Sequence, residues 1–232
     1  MNKFMAIAID GPSGAGKSTL AKRTAAEFGF IYVDTGAIYR TVGLAVNRRG
    51  LSCKDPEKVA PILPELDIKI TYGEDGLQKM ILNGEDVSSE IRQPEISICA
   101  SDVSALPVVR AYLLEMQRKF AREYNVIMDG RDIGTVVLPD AGLKIFLTAS
   151  AEARAQRRYL ELKNKGVDTS FEEVLKDIEY RDLQDSTRST APLKAAEDAV
   201  VLDTSDLNFE ESFEAICRLV HNSFGLKPEK NG

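Results

Sequence analysis

The chain has 232 residues, of which 44% are hydrophobic and 28% charged, with a formal net charge of −6. That size allows one large domain, or one domain with insertions, around a substantial core, and the acidic balance weighs against a general nucleic-acid binder. One histidine, His221, and three cysteines without paired spacing (Cys53, Cys99 and Cys217) leave no material for a histidine-dependent triad, a multi-histidine metal centre, a disulfide framework or a zinc site. Reduced thiols and a cytoplasmic location are expected. The first apolar run stops at Asp10, too short for a signal-peptide core, and no later stretch suits a membrane-spanning helix.

In chain order, Phe4 to Ile9 reads as a buried parallel strand. Gly11-Pro12-Ser13-Gly14-Ala15-Gly16-Lys17-Ser18 follows, with the spacing glycine, four residues, Gly-Lys-Ser. Glycines let a backbone close into a cradle whose N–H groups face phosphate oxygens. Lys17 supplies a point charge for the β- and γ-phosphates, and the Ser18 hydroxyl is a Mg²⁺ ligand. A helix from Thr19 to Phe28, closed by Gly29, aims its positive end at the same place. A glycine-rich turn that binds nothing is the alternative, and the strand and helix on either side disfavour it. Gly11 through Thr19 are therefore the expected contacts to the phosphates of a nucleoside triphosphate.

Ile31 to Val33 is a second strand ending at Asp34-Thr35-Gly36, where open α/β sheets bind ligands. Asp34 and Thr35 also suit helix capping, and both readings can hold. A helix carrying Arg40 runs from Ala37 to Arg49, and a short proline-flanked helix from Asp55 to Leu63. From about 66 to 92 the grammar turns antiparallel: alternation at Asp67–Thr71, a turn at Gly73–Gly76, a strand from Leu77 to Leu82, and the hairpin signal Asn83-Gly84. A small inserted sheet is expected there.

Helices from Pro94 to Ala105 and from Pro107 follow, the second with Val109, Leu113, Met116 and Phe120 on one face. Asn125–Met128, Lys144–Leu147 and Ala199–Leu202 are further strands. Helices start at Ser150, at Ser170 with capping-box spacing to Glu173, and at Asn208 with Phe209, Phe213, Ile216 and Val220 inward. Five strands alternating with helices describe an α/β fold with a helix-flanked parallel sheet.

Asp129, ending an apolar strand, stands where a second acidic group near Mg²⁺ belongs, acting through water. A cap or turn role is the alternative. Between 154 and 188, Arg154, Arg157, Arg158, Arg181 and Arg188 are interleaved with acidic residues. They describe either a solvated helical pair or a mobile lid whose arginines close over a transferring phosphoryl group. The glycine loop lacks an arginine of its own, which favours the lid. The GTPase guanine motif is missing: Asn164-Lys165-Gly166-Val167-Asp168 places its aspartate one position late.

Taken together, Gly11–Ser18, Asp34-Thr35-Gly36-Ala37-Ile38-Tyr39-Arg40, Asp129-Gly130-Arg131-Asp132-Ile133-Gly134-Thr135-Val136-Val137 and Arg181 through Arg188 resemble the bacterial cytidylate kinases, over about residues 4 to 223. The resemblance implies a P-loop kinase core (1–64, 106–153 and 190–232), a monophosphate-binding insert (65–105) and a helical lid (154–189). It implies γ-phosphoryl transfer from ATP to CMP or dCMP with Mg²⁺, and a monomer without nucleic-acid or membrane partners. By position, Ser101, Arg110 and Asp132 would read cytosine, Arg40 and Arg131 would hold the CMP phosphate, and Thr35, Arg181 and Asp185 would contact sugar or phosphate. Arg188 would join them on closure. Lys17, Arg131, Arg157, Arg158, Arg181 and Arg188 would offset charge during transfer, and Ser18 and Asp129 would serve Mg²⁺. Thr35 stands where family members often carry serine, and it keeps the hydroxyl.

Overall fold

The structure, a computed structural model, describes residues 4–74 and 76–227; Asp75 of the expected turn and the tail beyond Lys227 lie outside the described residues. In chain order the elements are β1 (Ala6–Asp10), α1 (Lys17–Phe28), β2 (Ile31–Asp34), α2 (Thr35–Arg48), α3 (Pro56–Val59), β3 (Ile68–Tyr72), β4 (Gln78–Leu82), β5 (Glu85–Asp86), α4 (Pro94–Ser104), α5 (Pro107–Glu123), β6 (Val126–Gly130), β7 (Leu143–Thr148), α6 (Ala151–Asn164), α7 (Phe171–Thr187), β8 (Val200–Asp203) and α8 (Phe209–Phe224). They form two compact units, one running to Tyr32 and resuming at Ala121, the other Val33–Phe120. No single helix among the described residues is long and apolar enough to cross a membrane.

The first unit holds a five-stranded parallel sheet in the order β2-β6-β1-β7-β8. β1 lies parallel to both β6 and β7, with Ile9 opposite Asp129 and Ile145. This register brings the C-terminal ends of β1 and β6 side by side, so Asp10 and Asp129 sit at the same edge. Ile7, Ile9, Ile127, Ile145 and Leu147 pack against Leu20, Ala21 and Ala25 of α1 and Phe213, Ile216 and Val220 of α8. Asn208 caps α8 in a capping box. Phe209, expected inward, is 40% exposed instead; it lies in the first turn, where the guanidinium of Arg23 covers its ring. Ser212 takes the buried place.

Helices α6 and α7 share a small core of Ala155, Val174 and Ile178, flanked by Tyr159, Leu162 and Phe171. The capping box at Ser170 is present, and α7 runs to Thr187, so Asp185 is helical. A π-turn at Ile133–Val137 had no counterpart in the pattern of apolar residues.

In the second unit α2 starts at Thr35, two residues before the expected Ala37, because the Asp34 side chain caps it by accepting from the Ala37 N–H. The segment after Pro56 stays α-helical for one turn only, then tightens to a 3₁₀ turn over Ala60–Glu65, where Pro61 and Pro64 withdraw the donors an α-helix needs. The inserted sheet is antiparallel, β3-β4-β5. Asn83 and Gly84 both have positive φ, 50° and 87°, as the tight hairpin turn demands. Arg48 of α2 forks onto Glu85 and Glu90 and so ties the sheet to the helix. On α5 the buried stripe is Val109, Arg110, Leu113 and Gln117, while Met116 and Phe120 are half-buried. Gln117 donates back to the Leu113 carbonyl at 3.2 Å, which satisfies part of a polar side chain on the stripe that the apolar pattern alone would pass over.

α2 and α4 meet closely at Gly43, where a Cβ would lie 3.0 Å from the Ala100 nitrogen and 3.2 Å from the Cys99 Cβ. Gly43→Val is therefore expected to overpack this crossing and lower the unfolding free energy by roughly 1–3 kcal/mol, measured by urea denaturation.

Candidate active site

The loop from Gly11 to Gly16 joins the buried β1 to α1, and its glycines are forced by contact as well as by conformation. Gly11 has φ +150°, and a Cβ there would stand 1.9 Å from the Leu147 carbonyl oxygen. Gly14 and Gly16 adopt φ of 75° and 83°, which L side chains rarely do. Lys17, the first residue of α1, is only 6% exposed, and its Nζ donates to the Pro12 carbonyl at 2.7 Å. Burial, then the adjacent Arg131 guanidinium, pushes its ammonium down to about 7, against the pull of Asp129, Asp185 and Asp10.

Around Lys17 the first unit gathers charges of both signs. The Ser18 hydroxyl donates to Asp129 Oδ2 at 2.7 Å, and the Tyr32 hydroxyl donates to Asp129 Oδ1 at 2.8 Å. Arg131 donates from Nε to Asp185 Oδ2 at 2.7 Å. Burial opposes the Arg131 charge, but Asp185, then Asp129 and Asp10, outweigh it and hold the guanidinium above its ordinary value. Arg188 donates to the Ala191 carbonyl at 2.7 Å and reaches Asp132 Oδ1 at 3.5 Å.

A hydroxyl and a carboxylate 2.7 Å apart at the foot of the loop offer the hard oxygen ligands that Mg²⁺ prefers. Among the described residues no cluster of three or more His, Cys, Asp or Glu could hold a metal. Ser18 and Asp129 thus fit a Mg²⁺ that arrives with substrate phosphates as its other ligands, which is how this ion is usually bound.

The remaining arginines of α6 and α7 are engaged elsewhere. Arg157 donates to Thr204 Oγ1 and to the carbonyls of Thr204 and Leu207. Arg158 pairs with Glu161 at 2.7 Å, and Arg181 with Asp177, one turn back. Arg154 is 5% exposed. It grips Asp182 with both Nη atoms at 3.0 and 2.6 Å, the Ser13 carbonyl at 3.0 Å and the Ala149 carbonyl at 2.9 Å. It braces the loop apex against α7.

The second unit carries the other expected residues. Thr35 is buried at the start of α2. Arg40 donates to Asp34 Oδ2 at 2.9 Å. Arg110 donates to the Ser104 carbonyl at 3.1 Å, with its guanidinium carbon 5.6 Å from the centre of the Tyr39 ring. Ser101 is exposed on α4.

Two residues of the first unit escape sequence reasoning. Tyr32 gave no signal beyond its place on a strand. Asp10 looks like the stop of an apolar run, yet both its oxygens accept backbone N–H bonds at 2.7 Å, from Ile133 and Gly134. It thereby fastens the segment after Asp132 to the strand that leads into the glycine loop. Burial pushes its carboxyl up to about 6, against these two bonds, and nearby Asp132 adds to the rise.

A family model described as cytidylate kinase matches residues 7–222. The cytidylate kinase of Caldicellulosiruptor bescii is 52% identical over 219 residues, covering 94% of this chain and 96% of its own. That of Caldanaerobacter subterraneus subsp. tengcongensis is 51% identical over 223 residues, covering 96% and 97%. That of Syntrophotalea carbinolica is 47% identical over 220 residues, covering 95% and 93%.

The Asp10 carboxyl binds its proton more tightly in the folded chain than at the ordinary value of 3.8. Its contribution to stability is thus full below pH 3.8 and is lost as pH rises through about 6. Measured by chemical denaturation between pH 4 and pH 7, wild-type stability should fall relative to Asp10→Asn by an amount on the order of 3 kcal/mol. Parallel pH profiles for the two proteins would remove Asp10 as the titrating group.

Proposed function

The chain belongs to the cytidylate kinase family, and on that footing we propose that it transfers the γ-phosphoryl group of ATP to CMP or dCMP, giving ADP and CDP or dCDP. What carries the reading is identity of about one half over nearly the whole chain, joined to the cluster of Lys17, Ser18, Asp129 and Arg131 at the glycine loop.

In this reading Gly11 to Thr19 bind the ATP phosphates through backbone N–H groups, with Lys17 as the movable charge. Its hold on the Pro12 carbonyl is a single bond that a phosphate oxygen can replace with a stronger, charge-assisted one. Mg²⁺ would be held by Ser18 and, through water, by Asp129, and would supply charge neutralisation at the phosphates. Arg131 keeps its charge under all working conditions and offers a planar fork to phosphate once Asp185 shares it. Arg157, Arg158, Arg181 and Arg188 belong to the lid in this proposal. They reach the reacting group only by leaving the partners they hold in this structure.

On the acceptor side, Arg40 and Arg131 bind the CMP phosphate. Thr35, Arg181 and Asp185 bind sugar or phosphate, and Ser101, Arg110 and Asp132 read cytosine. Cytosine presents an amine that Asp132 can accept from and ring acceptors that Arg110 can donate to. Uracil reverses part of this pattern and would leave buried groups unpaired. No covalent intermediate and no strong base is required. Catalysis is positioning and charge neutralisation, with closure excluding water that would hydrolyse ATP. The proposed division is a core of 1–64, 106–153 and 190–232, an acceptor insert of 65–105 and a lid of 154–189. The protein is proposed to act as a cytoplasmic monomer without nucleic-acid or membrane partners, which a net charge of −6 supports for nucleic acid.

ADP release measured across a panel of nucleoside monophosphates tests the activity: CMP and dCMP should be turned over far faster than UMP, AMP or GMP, and equal rates would refute it. Lys17→Ala should abolish turnover in that assay. Asp132→Ala should lower the ratio of kcat/KM for CMP over UMP by at least about tenfold, as expected when a buried hydrogen-bonding group is lost from a recognition site.

A further inference from the structure

The inserted sheet touches the start of α2 through a side chain that none of these roles includes. Gln78, the first residue of β4, accepts at Oε1 from the backbone N–H of Asp34 at 2.7 Å and donates from Nε2 to the Asp34 carbonyl at 3.3 Å. One amide thus meets both backbone groups of a single residue, as a neighbouring strand would. The Asp34 carboxylate is then divided between two tasks. Oδ1 accepts the Ala37 N–H at 2.9 Å, and Oδ2 accepts from Arg40 Nη2 at 2.9 Å.

The space for this pairing is made by Gly36. A Cβ there would lie 3.1 Å from Asp34 Oδ1 and 3.2 Å from Arg40 Nη1. Arg40 is held but not saturated, since its buried Nε has no hydrogen-bond partner. A buried N–H left without an acceptor is costly even on a side chain that is otherwise partly exposed. An anion with several acceptor oxygens is the chemistry that satisfies such a fork.

We propose that Gln78 and Asp34 are positioning residues: Gln78 fixes the backbone of Asp34, whose carboxylate aims Arg40 at the phosphate of the acceptor monophosphate. The inserted sheet then sets acceptor affinity through Arg40 without touching the nucleotide. This rests on the assignment of Arg40 to the acceptor phosphate.

Steady-state kinetics of Gln78→Leu, Asp34→Asn and Arg40→Ala test it, with cytidine, which lacks the phosphate, as an inhibitor probe. Gln78→Leu removes the amide at similar volume. Asp34→Asn keeps an acceptor for the Ala37 N–H but loses the charge facing Arg40. Each should raise KM for CMP by about tenfold, the size of one or two lost hydrogen bonds, while KM for ATP, kcat and inhibition by cytidine stay within about twofold. Loss of CMP and cytidine affinity together, or a rise in KM for ATP, would mean a structural role and overturn the proposal. An unchanged KM for CMP in both variants would overturn it too. Should Gln78→Leu fail to fold, Asp34→Asn decides alone. If Arg40→Ala raises KM for CMP while the other two do not, the positioning role falls and the assignment of Arg40 stands. If Arg40→Ala leaves KM for CMP unchanged, that assignment falls and takes the positioning role with it.

Discussion

A buried ammonium is the constraint around which the first unit is built. Lys17 is 6% exposed, and a charge withdrawn from water needs partners close enough to offset the loss. The fold supplies them from separate stretches of chain: Asp10 at the end of β1, Asp129 at the end of β6, and Asp185 on α7. Arg131 stands among them, lowering the Lys17 proton affinity while being held charged by the same carboxylates. The arrangement is a cluster of opposed charges rather than a single pair. Its parts are loaded against one another.

Such a cluster needs rigid supports, and these are mostly backbone contacts. Asp10 accepts two N–H bonds from the π-turn after Asp132. Arg154 spans the Ser13 carbonyl and Asp182. Gly11 lets the chain pass directly against the Leu147 carbonyl, where any side chain would collide. The first two tie the glycine loop, or the strand leading into it, to segments far away in sequence that lie beside proposed substrate residues. In the second unit the same logic recurs on a smaller scale: Gln78 holds the Asp34 backbone, Asp34 holds Arg40, and Gly36 leaves the room.

Where sequence reasoning succeeded, it rested on local signals. The glycine loop, the capping box at Ser170, the cap at Asn208 and the Asn83-Gly84 hairpin each depend on residues a few positions apart, and each stands as expected. Departures came where a long-range contact overrode a local preference. Phe209 fits an inward stripe but lies under Arg23 at the surface. Gln117, by contrast, breaks the apolar stripe of α5 and is buried with only a local bond, from its amide nitrogen to the Leu113 carbonyl one turn back. The π-turn at Ile133–Val137 is stabilised by a carboxylate more than a hundred residues earlier in the chain.

By itself the sequence determined a glycine loop of phosphate-binding pattern between a strand and a helix and a parallel sheet with a small antiparallel insert, beside motifs that resemble the cytidylate kinases. These follow from periodicity, turn residues and short motifs, all encoded within a few neighbours. Only the tertiary structure decided which charges share a site and which are engaged elsewhere. It set Arg131 on Asp185 and Arg188 near Asp132, and it set Arg157 on Thr204 and Arg158 on Glu161. The reason is that an ion pair depends on separation in space, and that separation is fixed by sheet register and helix packing, whereas a one-dimensional pattern of charged residues fits a solvated helix and a binding cluster equally well.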